Sequence, residues 1–594
     1  MKKTILFLIL TLPILAFGQM GFEWINIHGD AISTKREWVK KIQTDAAGNV
    51  YVGGEMNTLF VRDSNGNVIP RISDPTRDSL YNNGLRDAWI ASYTPQGVLR
   101  WHRYAGGSSS SRFDDMVVNQ NGDIYVVGSV FGNQNYRPRS YNNTLLRPDE
   151  EGAYLAKLDQ NGNLVWHSFF EGDTVAPNFY IPYQAGILGL HENSNNTISC
   201  YFIGGGQVIG TPYYQLLFGR DSLDYGIHEA IFDDNGNYLN VRSFDFPSSN
   251  IRHFPRITAI EKSKDRIVLT GTNSTDTIFV GNDTLIVDGF IDAVCLGFDT
   301  SLNHLWSFET ANYFDQFRGA KLFGDTLIAS GHFNVSVNSN LQFDTISHTG
   351  TPNVSQEMGL FAFDANNGRL LSMLPSRSNG FSAEVIAGGA AASTDFMAVG
   401  GLFGDEMTFS GSSNYMQAAD NCGPLCTNYD CFFAVFDRNG NLYKEEVIYS
   451  SGNSGEGILA MHFNDSMLYV GGLIGDSVII PGLNTLIAEG NNDAFIAAYN
   501  LALSTSIAES PQAIKADNGI LAYPNPTEGI VNLFGRPLGR EAVLYNLSGQ
   551  AIRSFSVNPN DERQAISLEG LDRGVYVLII RGSESIQSLK LIKQ

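Results

Sequence analysis

The residues able to do chemistry are scattered through the chain and form no known catalytic motif. There is no H-E-x-x-H for a zinc protease, no G-x-x-x-x-G-K for a phosphate loop and no G-x-S-x-G elbow between a strand and a helix. GNSGEG at Gly452–Gly457 sets a Ser among glycines, but it joins two strand-like runs and reads as a turn. Asp63–Asn67, Asp159–Asn163, a shortened Asp234–Asn237 and Asp437–Asn441 have the oxygen-rich spacing of calcium loops. They lack the closing Glu of such a loop, and each stands where a hairpin must reverse. Asn-Gly supplies the positive φ that a tight reversal needs. They are therefore read as turns, with a weak calcium site as the second reading and no other cofactor expected.

The remaining candidates are cysteines, histidines and short hydroxyl motifs. Cys422, Cys426 and Cys431 lie in ADNCGPLCTNYDC, a Gly/Pro/Asn-rich loop. No His or fourth Cys stands near to complete a zinc site. In an exported chain the expectation is one disulfide, Cys422 with Cys426. Cys200 and Cys295 fall within strand-like runs and read as small buried fillers. His102 and His167 follow matching Trp residues, which makes them repeat positions on strands. The triplets at Asp173–Val175, Asp283–Leu285, Asp325–Leu327 and Asp476–Val478 resemble bacterial O-glycosylation acceptors and serve equally as turn-to-strand entries.

What must position these residues is a repeat. One phrase is a strand ending in Gly: NVYVGG (Asn49–Gly54), DIYVVG (Asp123–Gly128), TISCYFIGG (Thr197–Gly205), RIVLTG (Arg266–Gly271), TLIASG (Thr326–Gly331), FMAVGG (Phe396–Gly401) and MLYVGG (Met467–Gly472). The other is rich in aromatics and Ala: DAWIASY (Asp87–Tyr93), GAYLAKL (Gly152–Leu158), GIHEAIF (Gly226–Phe232), DAVCLGF (Asp292–Phe298), MGLFAF (Met358–Phe363), DCFFAVF (Asp430–Phe436) and DAFIAAY (Asp493–Tyr499). Several copies lead through a turn into a third, Trp-bearing strand, as at Gly97–Gly107, Gly162–Gly172 and Leu302–Glu309. Strands apolar on both sides suit burial between neighbouring sheets. One such unit cannot cover both of its faces, whereas seven arranged radially can.

The expected fold is all-β: a seven-bladed β-propeller over residues 19–502, then a linker at 503–519 and a small immunoglobulin-like β-sandwich at 520–594. After the seventh aromatic strand the Trp-bearing strand is missing, and GFEWINIHG at Gly21–Gly29 supplies it at the other end. This strand is expected to close the ring. The repeat averages about 68 residues, longer than common propeller repeats, with the excess in extra hairpins such as Phe279–Gly289 and Ser477–Gly490. The phrase pattern resembles the seven-bladed beta-propeller repeat family, matched best at Asp87–Trp101 and Gly152–Trp166. Copies near Gly226, Met358 and Asp430 lack the Trp. The resemblance implies a fold and no activity.

The chain has 594 residues, 43% of them hydrophobic, and only 17% are charged. Its 61 Gly, 37 Phe and 25 Tyr belong to the strands and turns of the repeat. With 39 Lys+Arg against 61 Asp+Glu the net charge is −22, which argues against nucleic acid and anionic lipid as partners. Lys2 and Lys3, an apolar run from Ile5 to Phe17, and small residues at Ala16 and Gly18 read as a signal peptide at 1–18. The run is too short to span a bilayer, and no transmembrane segment is expected.

At the C-terminus the YPNP sequence (Tyr523, Pro524, Asn525, Pro526), LYNLSGQ with Gly549, the strand L-x-x-G-V-Y-V-L-x-I with Gly574 and Tyr576, and the final K-L-I-K stand in order. This segment resembles the C-terminal sorting domain of the bacterial type IX secretion system. The resemblance implies passage through that machinery, removal of the domain by a sorting peptidase, and a product that is secreted or attached to the outer cell surface. The functional expectation is a non-enzymatic module binding a glycan or protein. The alternative is a secreted enzyme degrading polysaccharide or peptide, with acidic residues from different blades meeting at the central channel.

Overall fold

In the computed structural model the described residues are 21–28, 38–56, 61–62, 68–69, 87–106, 111–130, 139–141, 144–147, 152–170, 187–204, 217–218, 221–222, 226–246, 255–274, 277–287, 291–310, 315–335, 340–350, 356–378, 385–404, 406–409, 416–418, 429–450, 457–475, 477–479, 486–487 and 493–501. In the C-terminal part they are 521–523, 529–534, 539–546, 550–559, 563–581 and 586–593. Among them every regular element is a β-strand. No helix is long and apolar enough to cross a membrane. The signal segment at 1–18, Asp63–Asn67, Cys422 and Cys426 lie outside the described residues.

Two compact units divide the chain, one dominated by Glu23–Ala498 and one containing the C-terminal segment. The larger unit holds seven sheets of four or more strands. In each, a leading strand at the sheet edge pairs with the Gly-terminated strand, which pairs with the aromatic strand, which pairs with an outer strand. The fourth sheet runs Arg256–Lys262, Arg266–Asn273, Asp292–Asp299, His304–Glu309, all antiparallel. Its two middle strands are buried along almost their whole length, as their apolar run demands. In the seventh sheet the outer place is taken by Gly21–His28, beside Asp493–Asn500.

The leading strands are Trp38–Thr44, Ser111–Val118, Ile187–Glu192, Arg256–Lys262, Asp315–Phe323, Val385–Ala392 and Gly457–Asn464. Each touches the next, and Gly457–Asn464 touches Trp38–Thr44. They are an addition to the sequence expectation, which had two phrases and an outer strand per repeat. The register of every leading strand slips once against its partner, at Lys40, Asp114, Leu188, Thr258, Arg318, Gly388–Gly389 and Leu459. A β-bulge of this kind re-aims the extra side chain and tightens the local twist.

At the outer strands, neighbouring sheets are locked by an indole. Trp24 Nε1 donates to the Pro95 carbonyl at 2.9 Å, Trp101 to Gln160 at 2.9 Å, Trp166 to Asp234 at 2.8 Å and Trp306 to Ala365 at 2.9 Å. Each ring covers the glycine of the next sheet's turn. At Gly236, with φ +81°, an added Cβ would lie 2.6 Å from the Trp166 ring. That turn needs glycine both for its backbone and for the ring.

The C-terminal unit is a two-sheet sandwich. Leu521–Tyr523, Ile530–Phe534 and Arg563–Ser567 form one sheet; Ala551–Ser556, Glu541–Asn546, Gly574–Arg581 and Ile586–Lys593 form the other. Val531, Leu533 and Ile566 from the first sheet share a core with Leu544, Leu578, Ile580 and Leu591 from the second.

Candidate functional site

One or three residues past the bulges, a polar cluster gathers from six of the seven sheets: Lys41 and Asp115 one residue past, His191, Glu261, Lys321 and His462 three residues past. Lys41 Nζ is 2.8 Å from Asp115 Oδ1, and Lys321 Nζ is 3.0 Å from Glu261 Oε2. The same carboxylates also bind backbone: Asp115 accepts from Leu190 N at 2.8 Å, and Glu261 from Leu322 N at 3.3 Å. Gln43 Oε1 accepts from Val118 N at 2.6 Å, and Thr44 Oγ1 lies 3.0 Å from His462 Nε2. Side chains on the first, second and fourth leading strands thus hold the backbone of the next. Gly189 permits one of these links, because a Cβ there would sit 2.5 Å from Ile260 and 3.2 Å from the Asp115 carboxylate.

Electrostatics tie the cluster together. Burial alone would pull the Lys41 ammonium down, but the Asp115 and Glu261 carboxylates more than offset it and hold it above the usual lysine range. Burial, aided by Lys262, pulls His191 down to about 4. Burial, aided by Lys321 and Lys41, pulls His462 down to about 3. Both imidazoles are therefore neutral at neutral pH and offer one donor and one acceptor each. Among the bulge residues, Asp114 is pushed up to about 6, by burial first, with Glu55 adding to it and Lys40 opposing. Lys40 itself sits 2.5 Å from Glu55 and donates to the Phe113 carbonyl at 2.9 Å.

A second ion cluster is structural. Glu229 is fully buried and receives Ser199 at 2.6 Å, Tyr201 at 3.0 Å, Lys262 at 3.2 Å and the Arg242 guanidinium. Despite burial these partners hold its carboxyl below the usual range. Every donor belongs to the sheet of Glu229 or to the one beside it, so the cluster serves as a seam.

The residues singled out in the sequence take other places. In the turn at Asp159, Oδ1 accepts from the backbone N of Asn161 and Asn163, both at 2.8 Å, and Oδ2 from the Asn163 amide at 2.9 Å. Asp437 does the same. These carboxylates are spent on their own turns. In the shortened copy the turn residue is Asp233, while Asp234 instead takes Lys157 at 2.5 Å and the Tyr125 hydroxyl. Among the described residues no group of three or more His, Cys, Asp or Glu could hold a metal ion. His102 and His167 sit on outer strands opposite Ala91 and Ala156. Cys200 and Cys295 are buried in strands. The Cys431 thiol donates to the Leu473 carbonyl at 3.7 Å.

In the sandwich, Tyr523 ends a short strand opposite Asn532. Pro524, Asn525, Pro526 and Gly549 lie outside the described residues. Gly574 opens its strand opposite Lys593. Tyr576 is buried, and its hydroxyl donates to the Asp572 carbonyl at 2.8 Å, tying the strand to the turn before it.

Residues 521–594 match the family model of the secretion system C-terminal sorting domain. Over 74 residues the chain is 39% identical to beta-agarase A of Zobellia galactanivorans, a match covering 12% of this chain and 13% of that protein. The chain thus spans about an eighth of the curated relative it matches. Among solved structures, the plexin A4 extracellular region aligns at a TM-score of 0.38 and 9% identity, covering 96% of this chain and 62% of plexin. The endosialidase of phage phi92 aligns at 0.34 and 9%, covering 96% and 88%. The polysaccharide lyase Uly1 aligns at 0.32 and 10%, covering 65% and 90%. Scores this low carry no fold or function to the present chain. The C-terminal segment is a type IX sorting domain, so the protein engages that secretion machinery and is secreted or attached to the outer cell surface.

Proposed function

We infer that the exported protein is a non-enzymatic binding module: a seven-bladed propeller over residues 19–502, closed by the strand at 21–29, that takes a glycan or protein ligand where its leading strands meet. A sorting peptidase removing the C-terminal domain completes this reading. The cycle of contacts through seven leading strands, and the place of Gly21–His28 beside Asp493–Asn500, support the propeller.

The observation that carries the binding reading is the polar cluster itself. Its two carboxylates are held by ammoniums and backbone N–H groups, and its two histidines are poor bases at neutral pH. Such groups recognise hydroxyls and amides better than they transfer protons. Asp115 and Glu261 do come from different sheets, which favours a polysaccharide- or peptide-degrading enzyme as the second reading.

A glycan array and a panel of polysaccharide and peptide substrates, both run on the full exported chain, separate the two. Retention without product is expected. Release of a shortened product overturns the binding reading in favour of the enzyme.

A further inference from the structure

The bulge residues differ from their neighbours in exposure. Leu459 is 41% exposed within a strand whose adjoining residues are buried, and Arg318 is exposed beside the buried Phe317. At these two strands the slip lifts a side chain out of the packed seam toward solvent, whereas Asp114 and Thr258 at other slips stay partly covered. On the fifth leading strand the lifted side chain is a cation, Arg318, and on the fourth an exposed cation, Arg256, stands two residues before the slip at Thr258. Arg256 and Arg318 are both exposed, and among the described residues neither has an ion pair or a hydrogen-bond partner. Elsewhere on the leading strands, Lys40, Lys41, Lys262 and Lys321 all have carboxylate partners. Two unpaired guanidiniums on adjoining strands of a chain with net charge −22 go against the chain's own supply of acids.

Their proximity is enforced. Thr258 Oγ1 donates to the Phe317 carbonyl at 2.9 Å, clamping the two strands one residue from Arg318 and two from Arg256. The two charges feel each other: burial, and then Arg256, lower the Arg318 guanidinium. Arg318 also reaches the buried His332, which burial and that charge pull down to about 3. Two like charges held together cost free energy in the empty protein, and an anion between them removes that cost.

We propose that Arg256 and Arg318 bind an oxyanion, carboxylate or sulfate, borne by an acidic saccharide whose hydroxyls meet the polar cluster further along the same strands. Guanidiniums match planar or tetrahedral oxyanions through paired N–H bonds. Sugar hydroxyls donate and accept at once, and so do the neutral imidazoles of His191 and His462 beside the Lys41–Asp115 and Lys321–Glu261 pairs. The proposal deepens the binding reading and rests on it for the saccharide.

The test uses the full exported chain and four probes of similar length: an oligogalacturonate, a sulfated galactan oligosaccharide, a neutral cello-oligosaccharide and an oligoglutamate peptide. Calorimetric titration should show one or both acidic saccharides binding at least about tenfold more tightly than the neutral one, with affinity falling as salt rises. Which of the two wins distinguishes carboxylate from sulfate. The double variant R256Q/R318Q should lose at least about tenfold in affinity for the acidic saccharide, R318K should lose less, and all variants should melt like the parent because both side chains are exposed. Equal affinity for neutral and acidic saccharides, unchanged in R256Q/R318Q, overturns the arginine site while leaving the binding reading intact. Preference for the peptide overturns the saccharide. Absence of binding by every probe overturns both.

Discussion

The outer seams and the leading strands of the larger unit do the same task, joining each sheet to the next, by opposite means. Four of the seven outer seams repeat one device: Trp24, Trp101, Trp166 and Trp306 each donate to a carbonyl and cover a glycine of the next turn. The leading strands repeat only a backbone slip, and fill the equivalent places with Lys41, Asp115, Gly189, Ala259, Gly319, Gly389 and Ala460. Where the task is only to hold, one solution recurs. On the leading strands the backbone slip recurs and the side chains diverge.

The largest effect should come from removing the seam that joins the two ends of the repeat. Deleting Gly21–Gly29 takes away an outer strand together with the buried Trp24, whose ring also meets Tyr93 and Tyr469 at 5.9 and 6.0 Å. Thermal unfolding of the full chain should then begin far below that of the parent. An unchanged melting temperature would break the idea that this strand closes the repeat. A smaller effect grades the seams against each other. Trp306 is 6% exposed and makes both the hydrogen bond and the ring contact, while at the next seam the turn glycine Gly440 faces Leu374, which an added Cβ would meet at 3.1 Å. Trp306→Ala should cost about 3–5 kcal/mol and Leu374→Ala, partly exposed, about half of that. Equal costs in chemical denaturation would mean that the indole hydrogen bond adds nothing to the seam.

The difference between the two regions also explains what the sequence discloses. The two middle strands of each sheet are legible, and the outer strand in several, because burial on both faces forces runs such as RIVLTG and DAVCLGF, and because turns such as that at Asp159 need Asn and Gly. The leading strands escape. VKKIQT and RFDDMVV read as polar linkers, since a sheet-edge strand with a bulge loses its alternation and its charges find partners only across sheets. A signal for them exists in the spacing: each ends three to six residues before a Gly-terminated strand, one turn's length. The pairings themselves, Lys41 with Asp115 or Lys321 with Glu261, span sixty positions or more, and no local pattern announces them. In the sandwich the reverse holds. Its order of motifs alone identifies residues 521–594 as a sorting domain, and the structure adds the Tyr576 tie.

The smallest effect tests whether the bulge residues are held against their own solvation. Asp114 is pushed up to about 6, mainly by burial. Its folded value lies above its unfolded one, so between about pH 4 and pH 6 the folded state holds a proton that the unfolded state has lost. Stability from this group is present below that window and disappears as pH rises through it. His191 and His462 act in the opposite sense: pulled down to about 4 and about 3, they stay neutral while the unfolded chain takes up protons below about 6.5, and stability falls as pH falls. The parent's own pH profile mixes the two. The difference between Asp114→Asn and the parent cancels the histidines and isolates the carboxyl. Asparagine keeps an acceptor for Ser129, which donates to Asp114 at 3.1 Å, and leaves Lys40 with Glu55. The variant should therefore be more stable than the parent by about 1–2 kcal/mol at pH 8, with allowance for partial exposure, and equal to it near pH 4. A gain of the same size at both pH values would show that the carboxylate pays no burial cost, and that the slip at Asp114 opens that side chain to water as freely as the one at Arg318.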